Sequence, residues 1–265
     1  MRRFLTFTCL GDRLAATLDD APGTTGLLVV SGGNEVRSGA HRGMARLAAD
    51  IAQAGYPVFR FDRRGVGDSD GENGGFETSG DDIAAAIAAF RSACPTLRRI
   101  ISFGNCDAAT SLLLHRPDGV DAMVLSNIWA IEAVDDMPPP AAIKARYLER
   151  LKDPKTWLRL VSGAIDLKKL ASGLAKLIRP AQASTLELRL ANAMANGSCP
   201  AHILLSRGDM TAIAFADAWQ GEAFAKARQS GLYRVTTLDS ASHSFASDAD
   251  YAVLKSTLLE SLGGA

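Results

Sequence analysis

Apolar positions along the chain follow two alternating patterns: short β-rich runs bounded by turn residues, and longer stretches with apolar side chains at helical spacing. The runs predict strands over Phe4 to Leu10, Leu14 to Leu18, Gly26 to Ser31, Pro57 to Phe61, Arg99 to Phe103, Asp121 to Ser126, His202 to Ser206 and Tyr233 to Leu238. The helical spacing predicts helices over Met44 to Ala54, Asp81 to Ala93, Asp107 to His115, Phe215 to Arg228 and Tyr251 to Leu262. Gly11, Asp12 and Arg13 join the first two runs and suit an antiparallel hairpin at a sheet edge. The later strands are linked through single helices, which makes neighbours parallel. The expected fold class is therefore α/β, with a mostly parallel, doubly wound sheet of about eight strands.

The rhythm breaks between Ile131 and Ser198, a stretch far longer than an ordinary connection. The expected organisation is a core of residues 1–130 and 199–265, interrupted by a helical lid over residues 131–198. The insertion opens with Pro138, Pro139 and Pro140. In the first expected lid helix, Ile143, Tyr147, Leu148 and Leu151 share one face, while Lys144, Arg146, Arg150 and Lys152 point elsewhere. No repeat or low-complexity tract is visible.

Composition narrows the function classes. Among 265 residues, 29 Lys and Arg balance 29 Asp and Glu, so no global field argues for nucleic acid or an anionic membrane. No run reaches the roughly 18 apolar residues that a membrane span needs. Arg2 and Arg3 precede a short apolar stretch, but Thr6 and Thr8 interrupt it and Asp12 and Arg13 end it, which argues against a leader peptide. Cys9, Cys94, Cys106 and Cys199 are too sparse for a disulfide scaffold and lack metal-ligand spacing. A reducing cytoplasm is the expected compartment, with no metal or organic cofactor. Charge is unevenly placed: between Lys144 and Arg189 eleven basic residues face four acidic ones. That asymmetry could recruit an acidic acyl carrier, a CoA phosphate or an anionic surface, or it is a solvated face.

The sharpest chemical signal is Ser102-Phe103-Gly104-Asn105-Cys106-Asp107-Ala108-Ala109, a β run and a tight turn followed by small residues that open a helix. This is the pattern of a nucleophile elbow, G-x-S-x-G, with cysteine for serine and Ala108 for the last glycine. Small neighbours are needed because the nucleophile sits on a strained strand-to-helix turn. A thiol is the better nucleophile once ionised. The alternative is a buried structural cysteine.

On such an architecture the acid follows a late strand and the histidine follows the last one. Asp209 ends the run from Ile203, and His243 lies beyond the final strand; His41, His115 and His202 all sit in or against regular elements. A turn or cap aspartate and a surface histidine are the respective alternatives. The expected oxyanion donors are the backbone N–H groups of Asp107 and Asn34. Gly32 and Gly33 would allow close backbone approach, or mark a plain turn. Gly33, Arg37, His41, Arg42 and Trp129 are the expected substrate-binding residues, with solvated charges the alternative for the arginines and histidine. A carboxylate at Asp107 would oppose ionisation of the adjacent thiol unless paired, and Arg37 or Arg42 is the expected partner. The stretch Phe61 to Gly71 has the glycines of a phosphate loop without its Gly-Lys-Ser/Thr ending, so it reads as a structural turn.

The RFDRRGVGDSDG turn, the GNCDAA elbow, the GGNEVRSGAHR loop, the SNIW strand end and the segment ARYLERLKDPKTWLRLVSG together resemble the α/β-hydrolases. Among these, they resemble the hydrolase 1 group associated with the exosortase A system. The resemblance implies the α/β-hydrolase fold, a triad of Cys106, Asp209 and His243, and a bacterial setting linked to exopolysaccharide and protein-sorting genes. It supplies no substrate. Cysteine enzymes of this kind are similar to dienelactone hydrolases. The expected function is hydrolysis of a small-molecule carboxylic ester or thioester through an acyl-cysteine intermediate. An acyltransferase or carrier-linked thioesterase is the first alternative, and a non-catalytic binding module on the same fold is the second.

Overall fold

The computed structural model describes residues 1–131 and 184–264. It contains one eight-stranded sheet in the order β1-β2-β4-β3-β5-β6-β7-β8. The strands are β1 (Arg2–Cys9), β2 (Asp12–Asp19), β3 (Thr25–Val30), β4 (Val58–Phe61), β5 (Arg99–Asn105), β6 (Ala122–Ser126), β7 (Ala201–Ser206) and β8 (Tyr233–Leu238). Strands β3 to β8 run parallel, and β2 is antiparallel to both β1 and β4. The hairpin turns at Leu10 and Gly11, both with positive φ. Strand β1 begins two residues earlier than its apolar pattern indicates, because Arg2 and Arg3 reach across to Asp19 and Asp20 at 2.7 and 2.6 Å.

Helices cover both faces, as the continuous apolar runs of β3 to β6 require. On one face α1 (Gly43–Gln53) and the last helix (Asp248–Gly263) bury Leu47, Ile51, Leu254 and Leu258 against Val29, Phe103 and Val124. On the other, α2 (Gly80–Ala93) and α3 (Asp107–His115) pack Ile83, Phe90 and Leu112 against Phe59 and Ile100.

Three further helices complete the described chain: α4 (Thr185–Ala195), α5 (Met210–Gln220) and α6 (Ala225–Gln229), with the last helix numbered α7. Helix α4 falls within the segment expected to be a lid, yet it buries Leu186, Leu190 and Met194 in the same core cluster as α2 and α3. Its start is fixed by a capping box, in which Ser184 and Glu187 satisfy each other's backbone N–H groups. The expected helix over Ile143 to Leu151, the three prolines and most of the basic cluster lie outside the described residues. Helix α5 begins five residues before its predicted start because Asp209 caps it, accepting from the Ala212 N–H at 2.9 Å.

Strand order reverses at β3, with β4 on one side and β5 on the other. The loops at the carboxyl ends of β3 and β5 therefore diverge and leave a crevice, the usual ligand position in such sheets.

Candidate active site

Strand β5 ends at Asn105 and α3 starts at Asp107, so Cys106 alone carries the turn between them. Its backbone holds φ 60 and ψ −127, a conformation that costs a non-glycine residue free energy and persists only where neighbours fix it. They do so here: Cys106 N–H donates to the Ser126 carbonyl at 3.0 Å, and the Cys106 carbonyl accepts from Ala109 and Trp129. The reversal also brings α3 against β5 so closely that a Cβ on Gly104 would stand 2.8 Å from the Ala108 carbonyl carbon. That is why the position two before the thiol is glycine.

His243 lies on the loop after β8 and meets Cys106 from the side. Its Nδ1–H donates to Asp209 Oδ2 at 2.9 Å, and Cys106 is close enough to act on its protonation. The Asp209 hydrogen bond first and the neighbouring Cys106 second raise the imidazole pKa to about 10, against an opposing effect of burial. At neutral pH His243 is then an imidazolium. Asp209 divides its carboxylate between two tasks, one oxygen capping α5 and the other holding His243. The other histidines are engaged elsewhere or exposed: His115 contacts the Phe76 carbonyl at 2.9 Å, His202 contacts Thr236 Oγ1 at 2.9 Å, and His41 faces solvent.

Two asparagines that the sequence reading did not single out fasten this loop. Asn105 and Asn127 both donate through Nδ2 to the His243 carbonyl, at 3.1 and 3.2 Å. Asn105 Oδ1 accepts from Ser126 Oγ, and Asn127 Oδ1 accepts from the Ser206 N–H at 2.9 Å. The ends of β5, β6 and β7 are thereby tied to the histidine loop. The available signal was a polar Ser126-Asn127 pair closing a strand that is otherwise apolar, since a buried polar side chain needs a partner.

A cavity of about 510 Å³ opens over the thiol, lined by Cys106, Asp107, Gly33, Phe76, Trp129 and Leu186, with Ile131, Glu77 and Arg189 at its edges. Among the expected substrate-binding residues, Gly33 and Trp129 line it. His41 and Arg42 are exposed and do not, and Arg37 is turned away into an ion pair with Asp62 and Asp68. The expected pairing of Asp107 with Arg37 or Arg42 does not form. Arg63 takes that place, with Nη2 3.8 Å from Asp107 Oδ2, because Asp62 has already captured Arg37. Asn34 is exposed and accepts through its side chain from Asn73, while the Gly33 N–H is the one that faces residue 107. Arg189 on α4 forms a bidentate pair with Glu77, at 2.8 and 2.6 Å, across the cavity rim. Among the described residues, no group of three or more His, Cys, Asp or Glu side chains could hold a metal ion.

A parallel sheet with one antiparallel edge hairpin, a strained β5-to-α3 elbow and an Asp-held histidine after the last strand define an α/β-hydrolase. More narrowly, the chain belongs to the family described as serine aminopeptidase, S33, whose model matches residues 26–197. The elbow of this chain carries cysteine. Solved structures agree on the fold. The Pyrococcus furiosus esterase Pf2001 superimposes with a TM-score of 0.67 at 16% identity, over 98% of this chain and 90% of that one. The α/β-hydrolase GrgF from Penicillium sp. sh18 gives 0.62 at 15% identity, over 99% of each chain. The thioesterase domain from the curacin biosynthetic pathway gives 0.56 at 15% identity, over 98% and 99%. No curated protein sequence matches the chain. No helix among the described residues is long and apolar enough to cross a membrane.

Proposed function

We propose that this protein hydrolyses a small-molecule carboxylic ester or thioester through an acyl-cysteine intermediate, with Cys106 as nucleophile, His243 as proton carrier and Asp209 as its orienting partner. The observation that carries the reading is the Asp209–His243 hydrogen bond at 2.9 Å set beside Cys106, which sits on the strained elbow and lines an open cavity. Ester- and thioester-cleaving proteins on the same fold, the Pyrococcus esterase and the curacin thioesterase domain, support the bond type. The Cys106 thiolate adds to the carbonyl carbon and the carbonyl π pair moves to oxygen. The Asp107 N–H at the start of α3 and the Gly33 N–H then hold the oxyanion, Gly33 replacing Asn34 because it faces the cavity. When the intermediate collapses, the carbon–oxygen or carbon–sulfur bond breaks and the His243 imidazolium gives its proton to the leaving group. Neutral His243 next takes a proton from water, whose oxygen attacks the thioester, and thiolate and imidazolium are restored as the acid leaves. Phe76, Trp129, Ile131 and Leu186 suit an apolar acyl group.

The finer placement we propose is the exosortase A system-associated hydrolase 1 group, supported by the GNCDAA elbow and the RFDRRGVGDSDG turn. A reducing bacterial cytoplasm suits the four free cysteines. An acidic acyl carrier is the partner that the basic stretch from Lys144 to Arg189 would receive.

The test is intact-mass measurement during brief incubation with an aryl acetate, for the wild type, Cys106→Ala and His243→Ala. A transient acetyl adduct that maps to Cys106 and is missing from Cys106→Ala is the expected result. Its faster decay in added alcohols than in water would favour an acyltransferase. No adduct on a wild-type thiol that still reacts with a small alkylating agent would refute the aryl-ester reading and leave a binding module or a strictly carrier-dependent enzyme. The asparagine ties make a second prediction. Asn127→Ala should slow acylation by about 10- to 100-fold by loosening the histidine loop. It should also cost about 1–3 kcal/mol, since the Ser206 N–H loses its acceptor. Acylation rates and denaturant melts check the two effects separately.

A further inference from the structure

The N–H of Gly33, which the reading above assigns to the oxyanion, is already occupied. Asp107 Oδ1 accepts from it at 2.6 Å, a short charge-assisted hydrogen bond. Asp107 thus contributes its backbone N–H to the proposed oxyanion site while its side chain fills the other donor. A carbonyl oxygen gaining negative charge above Cys106 cannot share one N–H with a carboxylate, because the two anions would repel at hydrogen-bond distance.

A second seat for the carboxylate stands beside the first. Arg63, whose side chain is 3% exposed, donates through Nη2 to the Gly33 carbonyl, and the same Nη2 is 3.8 Å from Asp107 Oδ2, too long for a hydrogen bond. Its Nη1 is buried with no hydrogen-bond partner among the described residues. A carboxylate drawn from 3.8 Å to hydrogen-bond distance of Nη2 would pair with this buried guanidinium, which has no closer carboxylate among the described residues. Asp107 lines the cavity beside Cys106, so a bound acyl group reaches the carboxylate directly.

We propose that the Asp107 side chain gates acylation: it blocks the Gly33 N–H at rest and must shift onto Arg63 before the oxyanion can form. The inference rests on the acyl-cysteine reading. It assigns Asp107 a function separate from its N–H, and it makes turnover depend on a substrate able to displace the carboxylate.

The experiment compares wild type, Asp107→Ala and Asp107→Asn in two reactions at Cys106, acetylation by p-nitrophenyl acetate and alkylation by iodoacetamide. Alkylation uses the thiolate but forms no oxyanion, so the ratio of the two rates isolates the oxyanion step from any change in thiol reactivity or folding. Losing or gaining one oxyanion donor changes rates by about 10²-fold or more. The ratio should accordingly rise at least tenfold in Asp107→Ala. In Asp107→Asn it should rise less, since a neutral amide still competes for the N–H without the charge. A ratio unchanged or lowered in Asp107→Ala, with acetylation intact, overturns the gate and leaves the acyl-cysteine reading standing. Alkylation without acetylation in all three chains overturns the gate together with the aryl-ester reading.

Discussion

Asp209→Asn should slow acylation of Cys106 by about 10³- to 10⁴-fold while leaving the fold in place. The carboxylate accepts from His243 Nδ1 at 2.9 Å, and an amide there can present its N–H₂ to the ring and reverse the tautomer, a change of that size in hydrolytic triads. Asparagine caps helices about as well as aspartate, so α5 keeps its link to the Ala212 N–H. Asp209→Ala would lose both roles and melt at lower temperature, and the pair of variants separates chemistry from stability. The same substitution should change the pH profile. His243 holds its proton up to about pH 10, chiefly through Asp209, so acylation by the wild type should fall only as pH approaches that value. In Asp209→Asn the fall should begin nearer the ordinary imidazole range of about 6.5. Stability follows the same linkage. A histidine whose folded pKa is raised contributes fully below its unfolded value and loses that contribution as pH rises through the folded one. Wild-type stability should accordingly decline between about pH 6.5 and 10 relative to Asp209→Asn. Denaturant melts across that window would show parallel curves if His243 were not held by Asp209.

The strands were legible because sheet burial writes itself directly into apolar runs, and all eight stand where those runs lie. Their ends were less so. Arg2 and Arg3 read as a charged terminus, and only the register with Asp19 and Asp20 makes them strand. Cys106, Asp209 and His243 could be ordered along the chain because elbow chemistry restricts residue size at Gly104 and Ala108, a constraint local to a few residues. What lies between loops could not be read this way. Arg37 or Arg42 is the partner expected for Asp107 in one dimension, and only the position of buried Asp62, which takes Arg37, leaves that place to Arg63. The roles of Asn105 and Asn127 depend on a carbonyl more than a hundred residues away, which no local pattern encodes. Helix α4 did carry its own signature, the Ser184 to Glu187 capping box, hidden inside a segment whose length suggested an insertion.

Arg37→Ala should cost about 3–5 kcal/mol of stability, the penalty for leaving the fully buried Asp62 carboxylate without its partner, and Asp62→Ala should cost less, because Arg37 is partly exposed and keeps Asp68 at 2.9 Å. Asp62 is fully buried and accepts from the Arg37 N–H, the Arg37 guanidinium and the Asp68 N–H, while Arg37 also donates to Thr17 Oγ1 at 3.1 Å. This pair fixes the loop after β3 against the turn after β4, and one of the turn's glycines follows from it: Gly67 has φ 59, and a Cβ there would stand 2.4 Å from Asp62 Oδ2. The glycine pattern that imitates a phosphate loop is thus explained by close packing within the turn, Gly67 against Asp62, Gly65 against the Asn73 backbone and Gly71 against Asp12. Because the same loop carries Gly33, a loosened Arg37 should also reduce acylation, through the rate at saturation rather than through affinity. A substrate-contacting Arg37 would behave oppositely, raising KM while the denaturation midpoint stayed fixed. The double variant decides further. If the two side chains act as one unit, removing both should cost well under the sum of the single losses, since neither charge is then left buried without its partner.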